Sequence, residues 1–380
     1  MRNSNSLASK VLYQFSKVLP FLKSFTIAAI ACWLPFFAIT QESVSNPATK
    51  ITGINIFGDS LVDSGNLFNL SELPPSPPYA QQSSNGPVWT AQLATELGLT
   101  PTLSTEVLPN LSSGTVTLPT EGINFALAGS LTSELNSASP DLPGLQQQVD
   151  AFLEISQLVP PDPDALYVLI AGGNDYNLAV TDPEVIATLE ALPNRVTDNL
   201  INAVTLLIEA GAERLLIGNL PDLGQTPLAG VLNQADPQSS QLLSRLSAQH
   251  NQLLSQKLNN LQTASGIEIV QLDLGRLFSA VTQNPDEFGF ANVTDPCLIN
   301  VQSDVQFDEI CNNPHEYLFW DNLHPTEAGH HKIAQLALSV LIQETDDPTT
   351  KVSEPWGIWG LIAGGIGIAA IALRRRYASS

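Results

Sequence analysis

Five short apolar runs mark the middle of the chain: Ile51–Phe57, Gly122–Ala126, Ala165–Ile170, Arg214–Gly218 and Ile267–Leu272. Elsewhere apolar positions return at the three- and four-residue spacing of amphipathic helices, over Val88–Leu97, Leu145–Gln157, Pro183–Ala210, Pro237–Leu261 and Thr326–Gln343. Strands alternating with helices predict βαβ units and a parallel sheet covered on both faces. The expectation is one α/β domain over residues 51–343, doubly wound around a five-stranded parallel sheet, with its site along the edge where the strands end. Two loops interrupt the pattern: Ser71–Tyr79, with four prolines, and Thr100–Thr120, rich in Ser, Thr, Pro and Leu. Both follow motif-bearing elements and are placed to shape a binding pocket.

The ends read differently. Arg2, Lys10, Lys17 and Lys23 precede an uncharged stretch from Ser24 to Thr40, the layout of a signal peptide over residues 1–40, followed by a linker to residue 50. An uncleaved anchor is the alternative, since the basic region is long and no Ala-x-Ala site follows; lipidation at Cys32 fits less well. At the other end a polar stalk, residues 344–355, leads to an uncharged run from Trp356 to Leu373 and then Arg374-Arg375-Arg376. Eighteen residues at about 1.5 Å each span roughly 27 Å, close to the hydrocarbon thickness of a bilayer. The arginines would stay cytoplasmic, leaving the rest of the chain outside.

Charge and cysteine usage narrow the partners. Between Ile51 and Gln343 six basic residues face 32 acidic ones, so nucleic acid is repelled at long range. Cys297 and Cys311 are the cysteines of the segment expected to be exported, and an oxidising compartment suggests a disulfide closing a short loop. A metal pair is the other reading, but no His or Cys cluster supplies further ligands at the usual spacing.

Four motifs carry chemistry. Gly58-Asp59-Ser60-Leu61-Val62-Asp63-Ser64-Gly65-Asn66 begins where the first strand ends, which presents the Ser60 hydroxyl at the sheet edge. Asp321-Asn322-Leu323-His324 precedes the last helix, and a neutral imidazole oriented by a carboxylate is the base a serine hydroxyl needs. The Gly129 turn after the second strand and Gly172-Gly173-Asn174-Asp175 after the third could supply a backbone N–H and a side-chain amide to an oxyanion. Each alone is also an ordinary turn or helix cap. Among the other histidines, His250, His330 and His331 fall within helices, and His315 is the rival base.

Taken together the motifs resemble the GDSL, or SGNH, hydrolase family, whose four blocks appear in order as Ser60, Gly129, Asn174 and His324. Ser84-Asn85-Gly86-Pro87-Val88-Trp89 and Tyr317-Leu318-Phe319-Trp320-Asp321 extend the likeness toward the lipase/acyltransferase branch of lysophospholipases and thermolabile haemolysin-like proteins. The resemblance implies a three-layer, flavodoxin-like fold and a carboxylic ester hydrolase without cofactor or metal. It implies Ser60 as nucleophile, Asp321 and His324 as its triad partners, and an oxyanion hole of Ser60, Gly129 and Asn174. Water or another alcohol would release the acyl group. Carbohydrate O-deacetylation is the alternative activity, and a non-catalytic surface protein the alternative class. The tail resembles a PEP-CTERM sorting signal, with Ser353 where that motif has its first Pro. This implies a bacterial, exported, membrane-anchored or cell-surface protein and an exosortase as partner.

Overall fold

The computed structural model describes residues 51–111, 118–181, 189–302 and 306–343. The expected signal peptide, linker, stalk and tail lie outside the described residues, as does the start of the helix expected from Pro183. Among the described residues no helix is long and apolar enough to cross a membrane.

The five expected strands form as β1 (Ile54–Gly58), β3 (Ile123–Asn124), β4 (Leu166–Ile170), β5 (Arg214–Gly218) and β6 (Ile269–Leu272), and a sixth, β2 (Thr102–Leu103), adds to the edge. The sheet is parallel throughout, in the order β2-β3-β1-β4-β5-β6. The expectation of five strands is corrected to six. A two-residue strand inside a Ser/Thr/Pro-rich stretch shows no alternation, and β2 exists through its pairing with β3 at Thr102↔Ile123 and Leu103↔Asn124. Without that edge the order is the doubly wound one that reverses beside the first strand.

Alternation along the strands feeds two cores. Ile54, Ile56, Val168, Ile170, Leu216 and Leu272 pack on one face, against the helices Trp89–Leu97, Leu274–Gln283 and Glu327–Gln343. Phe57, Tyr167, Leu169, Leu215, Ile217 and Ile269 pack on the other, against Leu145–Ser156, Leu192–Ala210 and Ser239–Ser265. Both faces are apolar because both are covered, which is why the strands read as nearly continuous hydrophobic runs.

Beyond β6 the chain builds small elements that the periodicity did not reveal. β7 (Asn292–Pro296) pairs with β10 (Tyr317–Phe319), and β8 (Leu298–Gln302) with β9 (Gln306–Ile310). Cys297 and Cys311 are joined at the base of the β8–β9 hairpin.

At the reversal point Gly58 pairs with Ile170 and takes φ +142, and any Cβ there would overlap the Ile170 carbonyl. Gly58→Ala should therefore lower the unfolding free energy by about 2 kcal/mol or more. Gly98→Ala, at a helix end with open space around the new methyl group, should cost about 1 kcal/mol. Equal losses for the two variants in chemical denaturation would show that the β1–β4 junction is not the constraint.

Candidate active site

Ser60 follows β1 in a tight turn closed by the N–H groups of Val62 and Asp63 donating to the Asp59 carbonyl at 3.1 and 3.0 Å. Its hydroxyl lies 2.9 Å from Nε2 of His324. On the far side of the ring, Nδ1 donates to Asp321 at 2.8 Å (Oδ2) and 3.0 Å (Oδ1). With Nδ1 carrying a proton toward the carboxylate, Nε2 offers its lone pair to the serine.

The His324 loop is held by its own sequence. Asp321 Oδ1 accepts the N–H groups of Leu323 and His324 at 2.8 and 2.7 Å, and the Trp320 N–H donates to the His324 carbonyl at 2.7 Å. Ser84 and Asn85 pin it from the side: Ser84 Oγ donates to the Pro325 carbonyl at 2.9 Å, and Asn85 Oδ1 accepts the Glu327 N–H at 2.8 Å. The two aromatic-bearing segments noted in the sequence thus meet across the fold.

Burial alone would raise Asp321, but the His324 charge and hydrogen bonds outweigh it and hold the carboxyl below its ordinary value. Burial lowers His324, yet Asp321, with a smaller contribution from Asp59, brings it above the ordinary 6.5. Asp59 itself is pushed up to about 7 by burial. His315 is exposed and 3.8 Å from Glu316, remote from these contacts. His250 and His330 are buried and pushed down to about 3 by desolvation, each held by a neighbour: Tyr176 Oη at 3.0 Å from His250 and the Trp89 N–H donating to His330 at 3.2 Å.

The two expected oxyanion loops are fastened to each other. Asn174 Nδ2 donates to the Ser130 carbonyl at 3.0 Å, leaving its second N–H, and Asp175 accepts both the N–H and the hydroxyl of Thr132 at 2.9 Å. Gly129 takes φ +83, and a Cβ there would crowd Asn136 Oδ1 and Ala138. Among the described residues the Ser60 and Gly129 N–H groups have no acceptor within the protein.

Ser60, Asn174 and His324 line one open cavity, together with Leu220, Leu223, Leu274, Phe278 and Phe319; Gly129 is not part of its wall. Among the described residues no group of three or more His, Cys, Asp or Glu side chains is gathered to hold a metal ion.

Sequence reasoning passed over the side chains that hold these loops. Asp63 accepts four backbone N–H groups, from Gly65, Asn66, Leu67 and Ala128, at 2.6–3.0 Å. Gln148 bridges the Gly58 N–H and carbonyl at 2.8 and 2.9 Å and reaches Ser130 Oγ at 2.9 Å. Tyr79 donates to Asp321 Oδ2 at 2.8 Å. Asp63 stood inside a quoted motif, a usable signal; Gln148 and Tyr79 carried none.

A family model described as "GDSL-like Lipase/Acylhydrolase" matches residues 54–337. The phosphatidylcholine-sterol acyltransferase of Aeromonas hydrophila is 28% identical over 355 residues, covering 82% of this chain and 96% of its own. A GDSL esterase/lipase of Arabidopsis thaliana is 31% identical over 348 residues, covering 82% and 95%. The thermolabile hemolysin of Vibrio parahaemolyticus is 28% identical over 306 residues, covering 76% and 63%.

Asp63→Ala would leave four backbone donors without their acceptor, each such loss worth about 1–3 kcal/mol when buried. The variant is expected to lose at least about 3 kcal/mol of stability and to drop sharply in Tm. A Tm within a few degrees of the parent would show that the two loops hold together without it.

Proposed function

The chain belongs to the GDSL-like lipase/acylhydrolase family, and from that membership we propose a residue-level mechanism and a substrate class for it. The protein is a serine hydrolase acting on carboxylic esters. The observation that carries the residue assignment is the line of contacts Ser60 Oγ, His324 Nε2, His324 Nδ1 and Asp321 Oδ2, at 2.9 and 2.8 Å.

In the proposed reaction His324 takes the Ser60 proton as Oγ attacks the ester carbonyl carbon. The tetrahedral oxyanion is held by the Ser60 and Gly129 N–H groups and the Asn174 amide, donors already fixed before substrate arrives. Collapse breaks the bond to the alcohol oxygen, and the alcohol leaves with the proton from His324. Water then gives a proton to the same imidazole as it attacks the acyl carbonyl, and the bond to Ser60 Oγ breaks as His324 returns that proton to Oγ and the carboxylic acid leaves. A second alcohol in place of water would give acyl transfer, the activity named for the Aeromonas relative. Apolar walls from Leu220, Leu223, Leu274, Phe278 and Phe319 support acyl chains longer than acetyl, and so favour fatty esters over acetylated carbohydrate.

For the ends of the chain the proposal is export by the N-terminal segment and anchoring by the PEP-CTERM-like tail, processed by an exosortase at a bacterial surface. Its support is sequence alone: Glu354-Pro355, the apolar run and the terminal arginines. Removing Trp356–Ser380 should release a membrane-associated protein into the soluble fraction with its turnover unchanged; retention in the membrane fraction would refute the anchor.

Ser60→Ala should abolish hydrolysis of p-nitrophenyl esters with little change in Tm, and more than a few per cent residual activity would overturn the nucleophile. In a panel of C2 to C16 esters kcat/KM should rise beyond C2, and a maximum at acetyl would favour the deacetylase instead. His324 must be neutral to accept the Ser60 proton, and its pKa is raised. Activity should therefore fall as pH drops through a midpoint above 6.5.

A further inference from the structure

The proline-rich segment 71–79 ends at Tyr79, which the mechanism above does not use. Its hydroxyl lies 2.8 Å from Asp321 Oδ2, the oxygen that also receives His324 Nδ1 at 2.8 Å. The other carboxylate oxygen is occupied by the Leu323 and His324 N–H groups. Among the described residues, Tyr79 is thus the donor to this carboxylate that comes from outside the 321–324 loop, 242 residues away along the chain.

Several features fix the phenol where it is. Its ring meets Trp320, the residue before Asp321, edge-on at 6.1 Å and 88°. Both rings sit in a buried cluster with Cys297 and Leu298. The main chain on that side is tied as well: the Cys297 N–H donates to the Phe319 carbonyl at 3.0 Å and the Leu298 N–H to the Trp320 carbonyl at 2.7 Å. On the Tyr79 side the loop closes on itself, with the Tyr79 N–H donating to the Pro75 carbonyl at 3.2 Å. Prolines 74, 75, 77 and 78 restrict its φ angles and so reduce the freedom lost on ordering. Tyr79 does not line the substrate cavity.

We propose that Tyr79 is a positioning residue of the ester-cleaving site: its hydroxyl holds the Asp321 carboxylate in the plane of the His324 ring and draws off part of its charge. The inference rests on the assignment of Asp321 and His324 given above. A carboxylate that shares its charge with a second donor pulls less strongly on the imidazole N–H. The hydroxyl therefore sets how basic His324 is as well as where it points. Among the described residues, the titratable groups facing the imidazole are Asp321 from its own loop, Asp59 from the end of β1, and His330 from the final helix, with Asp175 acting on Asp59. Burial and the adjacent Asp321 push the Tyr79 hydroxyl up, so it stays a donor across the working pH range. Tyr79→Phe removes the hydroxyl that donates to Asp321 Oδ2 and keeps the ring.

The test is the pH profile of a p-nitrophenyl ester with the full chain and three variants. Tyr79→Phe keeps the ring contact with Trp320 and should leave Tm nearly unchanged. Its kcat should fall roughly ten- to hundredfold, the range expected for losing one hydrogen bond to a charged group, with KM within about twofold. The acidic limb of kcat/KM should move to higher pH, because the unshared carboxylate binds the imidazolium more tightly. Replacing Tyr79 by 3-fluorotyrosine, a stronger donor of nearly the same shape, should move the limb to lower pH. In an Asp321→Asn background the Tyr79→Phe change should have less than about a twofold further effect, since the charge it acts on is gone.

A limb unmoved by both Tyr79 replacements would overturn the inference, as would an equal loss with and without Asp321→Asn, because a merely structural role predicts those results. The fluorinated protein decides the matter if Tyr79→Phe fails to fold. If Asp321→Asn alone keeps full activity, the failure lies in the assignment of Asp321, a result distinct from an inert Tyr79.

Discussion

Asp63 has one carboxylate and four backbone N–H groups to satisfy, and the active site is arranged around that demand. Three donors, from Gly65, Asn66 and Leu67, wrap the chain into the turn that follows Ser60, while the fourth, from Ala128, belongs to the other loop. Burying a carboxylate is costly unless its lone pairs are filled, so the arrangement tolerates little displacement of either loop. Asn66 continues the same tie, its amide donating to the Asn124 and Ala126 carbonyls at 2.8 and 2.9 Å, and Asn124 donates back to the Val62 carbonyl at 2.8 Å. Ser60 and Gly129, each near one end of this lattice, are thereby held in a fixed relation.

The site's charges follow from where the chain reverses on the sheet. β1 and β4 are neighbours at the switch point, so Asp59 and Asp175 arrive close together just past their ends, and burial keeps both carboxyls above their ordinary range. Asp175 is pushed up to about 6 although Thr132 donates to it twice. Asp321 behaves oppositely because, of the three, it is the one hydrogen-bonded to the His324 ring, whereas Asp59 feels that imidazole only at a distance. One buried cluster of acids is thus divided into a carboxylate committed to His324 and two acids that titrate nearer neutrality.

The parts of this architecture legible in the sequence are those written in local pattern. β1, β4 and β5 are apolar because both sheet faces are covered, and the Ser60 and Asn174 motifs sit immediately past β1 and β4, so their region could be read from residue order, while the His324 motif was placed by the final helix it precedes. β2 could not, since two residues have no period. The hairpin of β8 and β9 was hidden for a related reason: it packs through Leu298 and the Cys297–Cys311 bond and lies apart from the large cores. Tyr79 and Gln148 were illegible in a deeper sense. Their partners lie 242 and 90 residues away, and nothing in a proline-rich loop or an amphipathic helix distinguishes a side chain that must find a buried polar group from one that meets water.

The back and front of the site draw on different segments, and that division bears on how substrate choice can change. Ser60, Asp321 and His324 are fixed by backbone turns and by Asp63 and Tyr79, behind the reacting atoms. The cavity beside Ser60 is walled by Leu220 and Leu223 after β5, by Leu274 and Phe278 from the helix after β6, and by Phe319 from β10. The first four are apolar side chains and make none of the hydrogen bonds that hold the Ser60 loop. Their volume can therefore vary while the Ser60–His324–Asp321 line stays in place. Phe319 is the exception: it packs on Phe278 at 6.5 Å, and its carbonyl accepts the Cys297 N–H at 3.0 Å, two residues before Asp321. It joins the acyl wall to the segment that carries the carboxylate, so a change of chain-length preference made there would be felt in the chemistry, whereas one made at Leu274 or Phe278 would be felt chiefly in the fit of the acyl chain.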